Sequence, residues 1–316
     1  MNIIDPIILF FLFGVIVGLL RIKLCLPRQI YDFVTILLLL SIGLKGGIEI
    51  SKLSLGFLLP QIIVALAMGF LLPFVAYPIL RYLGRFNLYD SASIAAHYGS
   101  VSVGTFAVAI SFLISKNVTF EKHMALFLVL LEVPAILAGI LLVRGFRSKT
   151  KWKEICRESF LDKGIILLVG GLFIGCILGP SGVQTIKPLF FDMFKSILAL
   201  FLFEMGVIAS SQLGVLKRHG LFLVGFGILM PIFSSLIGVL IGCLLGFSVG
   251  GVTIFATLAA SASYIAVPAV MRISIPEANP TLSIVSALGI AFTFNDLVGI
   301  PIYYSFAKKI FIILGR

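Results

Sequence analysis

Charge is scarce in this sequence, acidic charge most of all. Among 316 residues there are 13 Asp and Glu against 24 Lys and Arg, and 12% of the chain is charged. A water-soluble domain carries about 25% charged residues. A chain so poor in them cannot cover a globular surface with polar groups, which excludes a soluble enzyme with an outsized core. Histidine occurs 3 times and cysteine 4 times. Cys25, Cys156, Cys176 and Cys243 have no C-x-x-C or His-paired spacing, which excludes a zinc ribbon, a dithiol redox centre and a disulfide framework. They read as small packing residues. The chain also lacks G-x-S-x-G, H-E-x-x-H and P-loop motifs, so no catalysis is expected. The basic excess forms no dense cluster interleaved with aromatics, which argues against a nucleic-acid partner. No basic segment precedes the first apolar run and no A-x-A site follows it, so that run is expected to be a retained helix.

Apolar sequence is what remains: 60% of residues are hydrophobic and the mean hydropathy is +1.19. This is the composition of an all-α integral membrane protein. A span needs about 17–25 residues, and marking runs off at charged or turn-rich breaks gives ten segments. They fall near 5–20, 28–45, 55–82, 88–115, 121–144, 163–179, 186–207, 215–246, 249–272 and 279–312. The longest polar stretch, RGFRSKTKWKEICRESFLDK at 144–163, separates the fifth from the sixth. With both termini outside, 15 of the 24 Lys and Arg fall on the cytoplasmic side, including seven in that stretch. The positive-inside bias thus predicts external termini and a cytoplasmic central loop.

Five spans on each side of the loop suggest duplication. An offset of about 163 residues lays SIGLKGG at 41–47 over EMGVIAS at 204–210, and AAHYGSVSVGT at 95–105 over LAASASYIAVP at 258–268. The same offset lays Glu132 over Asn295, beside Asp296; at a shorter one GVIVG at 14–18 matches GLFIG at 171–175. An odd number of spans per half makes the second half cross in the opposite sense, an inverted repeat. The expected organisation is residues 1–144 as the first repeat, 145–162 as a linker and 163–316 as the second repeat.

Spans four and nine are each interrupted. GSVSVG at 99–104 places Gly and Ser where a helix should continue, and SASYIAVP at 261–268 ends in a proline that removes a helix donor. Unpaired backbone cannot face lipid, so each break must line protein or a watery cavity. Paired interruptions in inverted halves point to a transporter's binding site. The alternative is that small residues merely allow close packing. Half-helix N-termini would suit a small anion, and the hydroxyls of Ser100, Ser102, Thr105, Ser261 and Ser263 would suit Na+. Ionisable groups inside spans are costly and usually functional. Glu132 and Asp296 therefore stand as candidates to bind Na+, to carry a proton, or to tie helices together. Asn295 and His97 stand beside them as further coupling candidates, with a packed, hydrogen-bonded histidine as the alternative for His97.

Four stretches carry a resemblance: IGLKGGIEI at 42–50, YGSVSVGTFAVAI at 98–110, LEVPAILAGILL at 131–142 and RISIPEANPTLSIVSALGIAF at 272–292. In them the chain resembles the sodium-dependent bicarbonate transporter family known from cyanobacteria. The resemblance covers the membrane part in order, and I-P-x-A-N-P at 275–280 is its most specific piece. It implies ten helices in a five-plus-five inverted repeat, with a core domain of crossing broken helices, a scaffold domain, a homotrimer and elevator-like transport. It also implies an anion site at Gly99, Ser100, Ser102, Gly104 and Thr105 in one half. In the other half that site falls on Ser261, Ser263, Ala266 and Pro268, and Tyr264 among them is a further substrate-binding candidate. Na+ would lie at Ser100, Thr105, Ser261 and Ser263, with no other cofactor. Tyr264 stands where better-known members carry an acidic residue, and Val267-Pro268 where they carry Gly-Pro. The central loop, which in those members meets a PII-like regulator, is shorter here. The expected function is Na+-dependent bicarbonate uptake across a bacterial inner membrane. The alternatives are a proton- or Na+-coupled carrier of another small anion or carboxylate, and a non-transporting membrane sensor of the same fold.

Overall fold

The computed structural model describes residues 6–22, 24, 26–145, 157, 161 and 163–313. The first five residues, Lys23, Cys25, Cys156 and nearly all of the central polar stretch lie outside the described residues. The cytoplasmic placement expected for that stretch lies outside them too.

Every regular element among the described residues is helical. Helix α1 spans Pro6–Leu19, α2 Arg28–Ile50, and α3 Leu55–Pro78, which runs on as a π turn over Ile79–Leu83. Helix α4 spans Leu88–Gly99, α5 Val103–Ser115, α6 Met124–Leu130 and α7 Glu132–Arg144. After the central stretch come α8 at Lys163–Gly182 and the long α9 at Phe194–Leu244. Then follow α10 at Val249–Ala260, α11 at Ala266–Ser274 and α12 at Pro280–Ile284. Two π stretches, Val285–Phe292 and Asn295–Gly299, continue α12 into the last helix, α13 at Ile300–Ile313.

Seven helical segments among the described residues are long and apolar enough to cross a membrane, and Ile8–Leu19 and Val249–Ala260 are shorter apolar helices. Of the ten expected segments, the first is the short α1. The seventh is the start of α9, which departs from helical geometry at Gly220 (φ 83°) before continuing as the eighth. The ninth is divided between α10 and α11. The fifth runs over Met124–Arg144 as expected, with a one-residue irregularity at Leu131 between α6 and α7. Pro134, in the first turn of α7, has no amide to donate back to α6, so the ladder cannot run through.

Two sets of helices can be distinguished by what they pack on. In one, α1 lies along the first part of α9 and α2 lies along α8. Both crossings are made by glycines. The Gly206 and Gly14 backbones touch, so a Cβ on Gly206 would sit 2.8 Å from the Val15 nitrogen and 3.1 Å from the Gly14 carbonyl carbon. A Cβ on Gly43 would sit 2.6 Å from the Leu168 carbonyl oxygen and 2.9 Å from the Gly171 Cα. These are the residues the repeat offsets pair, Gly43 with Gly206 and Gly14 with Gly171. Close backbone approach through small residues is how apolar helices associate without a hydrophobic driving force. The outer faces stay apolar; Phe173 on α8 is 66% exposed and Phe13 on α1 is 55% exposed.

The second set is α3 on α4 and α7, and the later part of α9 on α10 and the Val285–Phe292 stretch. Here too contacts recur across the halves. The Asn279 amide, at the N-cap of α12, donates to Asp90 in the first turn of α4 (2.7 Å). The Ser248 amide, at the N-cap of α10, donates to Glu121 just before α6 (2.7 Å).

Candidate functional site

The sequence interruptions become two short non-helical stretches, 100–102 and 261–265, that meet one another. Helix α4 stops at Gly99 because Ser100 turns to an extended conformation (ψ −178°), and α10 stops at Ala260 because Ser261 does the same (ψ 164°). A side chain on Gly99 would collide with the Pro73 ring of α3, so only glycine lets the helix end there. Two hydrogen bonds lock the crossing. The Ser102 amide donates to Ser261 Oγ (3.1 Å), and the Ser263 amide donates to the His97 carbonyl (3.0 Å). Backbone groups freed by each break are thus partly satisfied by the other, as an apolar interior requires.

Each break restarts as a half-helix. Ser102 caps α5, its hydroxyl accepting from the Thr105 amide (3.2 Å). Helix α11 begins at Ala266 with no side-chain cap, and its third residue is Pro268, which has no amide to satisfy. Both N-termini present peptide dipoles to buried surroundings; Ser100, Ser102, Thr105, Ser261, Ser263, Ala266 and Val267 are all buried.

Behind the crossing, residues that the repeat offset pairs do matching work. Glu132, at the start of α7, accepts from Ser100 Oγ (2.8 Å) and so holds the first break. Asn295 donates from Nδ2 to the Ala260 carbonyl (3.0 Å) and holds the second, while Tyr303 donates to Asn295 Oδ1 (2.5 Å). Glu132 and Asn295 therefore act as ties. His97 is buried, donates from Nδ1 to the Ser93 carbonyl (2.7 Å), and leaves Nε2 without a partner. It faces Ser93, Pro268, Met271 and Ser283 behind the crossing.

Asp296 is different. It is 2% exposed, and neither carboxylate oxygen has a hydrogen-bond partner. The Thr105 hydroxyl is directed at this carboxylate without closing a hydrogen bond. Tyr264 lies near Asp296 and Ser102, and its hydroxyl is also unpartnered. A Cβ on Gly104 would sit 2.8 Å from that hydroxyl, so the glycine makes room for it. The Tyr264 ring stands edge-on to Phe292, with centroids 5.2 Å apart. Four unpaired oxygens thus converge where α5, the second break and the Asn295–Gly299 π stretch meet. Buried polar atoms are nearly always paired, so such a cluster points to a ligand. All four are oxygens, the donor type for a hard monovalent cation or a proton; among the described residues no group of His, Cys, Asp and Glu is arranged to hold a metal ion.

Every member of this cluster stands out in the sequence, but nothing there separates Asp296 from Glu132. The π stretch that carries the buried Asp296 has no signature in the sequence, and such deformations are common at functional sites.

No curated protein matches the chain. The sequence matches the family model of the Na+-dependent bicarbonate transporter superfamily over residues 6–308, and the chain belongs to that superfamily.

Proposed function

We propose that the chain is a secondary active transporter that takes up bicarbonate with Na+, its site being the crossing of the two breaks. The observation that carries this reading is the buried cluster of unpaired oxygens on Asp296, Thr105 and Tyr264 beside two half-helix N-termini. The anion would lie against the free amides at the starts of α5 and α11, bounded by Gly99, Ser100, Ser102 and Gly104 on one side. Ser261, Ser263, Ala266 and Pro268 bound it on the other. Na+ would be held chiefly by Asp296 with Thr105 and Tyr264. Asp296 supplies from a crossing helix the negative charge that the second break itself lacks. Ser100 and Ser261 direct their protons to Glu132 and the Leu258 carbonyl, so they shape the breaks and offer only lone pairs to a cation.

The matching glycine crossings and the matching ties support a ten-span, five-plus-five inverted repeat, with residues 1–144 and 163–316 as the halves and 145–162 as the linker. Helices α1, α2, α8 and the first part of α9 would form the scaffold, and the rest the core that moves past it in an elevator cycle. Assembly as a homotrimer in a bacterial inner membrane, termini outside, and control by a PII-like protein at the central loop belong to the same reading.

The deciding experiment is uptake of labelled bicarbonate into proteoliposomes with and without a Na+ gradient. Na+-dependent uptake that Asp296→Asn abolishes supports the reading; uptake indifferent to both overturns it. A proton-coupled carrier is the second reading, favoured by the protonatable pair Asp296 and Tyr264. In that case uptake persists without Na+ and stops when the pH gradient is collapsed.

A further inference from the structure

A chamber outside the two breaks is lined by α5 from Phe106, the neighbour of Thr105, to Ile114. It is a cavity of about 480 Å³ between the ends of α2 and α8, the start of α9, and α5 with α6. Its walls are mainly apolar, with Ile48, Phe106, Ile110 and Ile114 among them. Yet four lysines, Lys45, Lys52, Lys122 and Lys187, line it against the single carboxylate of Glu49. Lys52 and Lys122 are both engaged by Glu49, at 3.1 and 3.4 Å, and Lys187 faces Asp192 at 3.9 Å.

Lys45 has no carboxylate at ion-pair distance among the described residues. Its ammonium sits over the Phe194 ring at 4.0 Å and the Phe191 ring at 5.5 Å. Ring faces compensate a cation only in part, and an ammonium in an apolar wall needs a counter-charge. The chamber has the size and lining of a small-molecule pocket, about 300–1,000 Å³ and mostly apolar with a few placed polar groups. Bicarbonate has only four heavy atoms and would leave the apolar walls uncovered.

We infer that this chamber binds an amphipathic monocarboxylate, its head on Lys45 and its chain along Ile110 and Ile114. The ligand would sit between α2, α8 and the start of α9 on one side and α5 and α6 on the other. This site stands apart from the transport site, and its test needs no transport.

The probe is radiolabelled decanoate, dialysed to equilibrium against the protein in lipid nanodiscs with empty nanodiscs subtracted. The expected result is saturable binding near one decanoate per chain. Lys45→Met, which keeps the length and apolar stem but removes the charge, should weaken binding at least tenfold, and Lys45→Arg should retain it. Ile110→Trp, which fills the chamber, should abolish binding. Decanol should bind at least tenfold more weakly than decanoate, and excess bicarbonate should not displace it. Absence of saturable binding overturns the inference. So does equal binding of decanol, or a Lys45→Met protein that unfolds like the parent and binds as well. Displacement by bicarbonate makes the chamber part of the transport path and overturns it as a separate site.

Discussion

The Ser102 amide donates to the Ser261 hydroxyl across 159 residues of sequence, at 3.1 Å, and this bond joins the two breaks. Ser261 Oγ in turn donates to the Leu258 carbonyl (2.9 Å), so one hydroxyl serves both breaks. Ser261→Ala leaves a buried amide unsatisfied, which costs about 1–3 kcal/mol. Its thermal unfolding midpoint should fall, and bicarbonate uptake should fall at least tenfold because the amides at α5 lose their position. An unchanged midpoint would show that the crossing is held elsewhere.

Asp296 and Glu132 look alike in sequence, and substitution should separate them. Glu132 has a partner in Ser100 Oγ; Gln at 132 still offers it an acceptor, so Glu132→Gln should keep Na+-dependent uptake. Asp296→Asn keeps the shape but removes the charge that the cluster offers a cation. Na+-dependent uptake should be abolished while the protein purifies and unfolds like the parent. Tyr264→Phe removes one oxygen from the cluster and should raise the Na+ concentration for half-maximal uptake about tenfold, roughly 1.4 kcal/mol. If Glu132→Gln abolishes Na+ dependence and Asp296→Asn does not, the assignment is reversed.

Much of this arrangement could be read in the sequence because it is encoded locally. Gly99–Gly104 and Ser261–Pro268 contain residues that stop helices, and both helices do stop there. The glycines at 14–18, 43–47 and 171–175 stand out in the sequence as repeat matches, and in the structure they are sites of close helix contact. What could not be read depends on encounters between distant segments. Nothing around Glu132 says that Ser100 will meet it, and nothing around Asp296 says that no donor will. The irregularity at Leu131 hides in an apolar run whose periodicity continues across it. The chamber at Lys45 arises from five elements that no local pattern brings together. His123, at the edge of the fifth apolar segment, is buried among aromatic rings.

The paired glycine crossings predict an asymmetry between equivalent-looking substitutions. At Gly206 an alanine Cβ would collide with the Phe11 carbonyl, and at Gly47 with the Leu172 carbonyl; both are backbone atoms that cannot turn aside. Gly225, on the later part of α9, has nothing within 4 Å of such a Cβ. Gly206→Ala and Gly47→Ala should therefore lower the yield of folded protein and the unfolding midpoint. Gly225→Ala should leave both unchanged or raise the midpoint, since alanine is the better helix former by about 1 kcal/mol. Parallel losses at all three positions would mean that helix geometry, not the crossings, is at fault.

His123, just before α6, predicts a pH dependence of stability. It is 5% exposed, lies among the Phe57, Phe127 and Phe247 rings, and hydrogen-bonds through Nε2 to Gln61 Oε1 (3.1 Å). Burial pushes its pKa below the ordinary histidine value, while the charges of Glu121 and Glu49 pull it partly back. The folded protein thus resists a proton that the unfolded chain accepts at about pH 6.5. Stability from the neutral ring is complete above that pH, and it is lost as pH falls through the unfolded value toward the lower folded one. His123→Gln removes the titrating group, and the other two histidines stay in both proteins. The gap between parent and variant unfolding midpoints should be flat above about pH 7 and should shift in the variant's favour below about pH 6.5. A gap that stays constant down to pH 5 would mean that the ring charges as readily in the folded protein as in the unfolded chain.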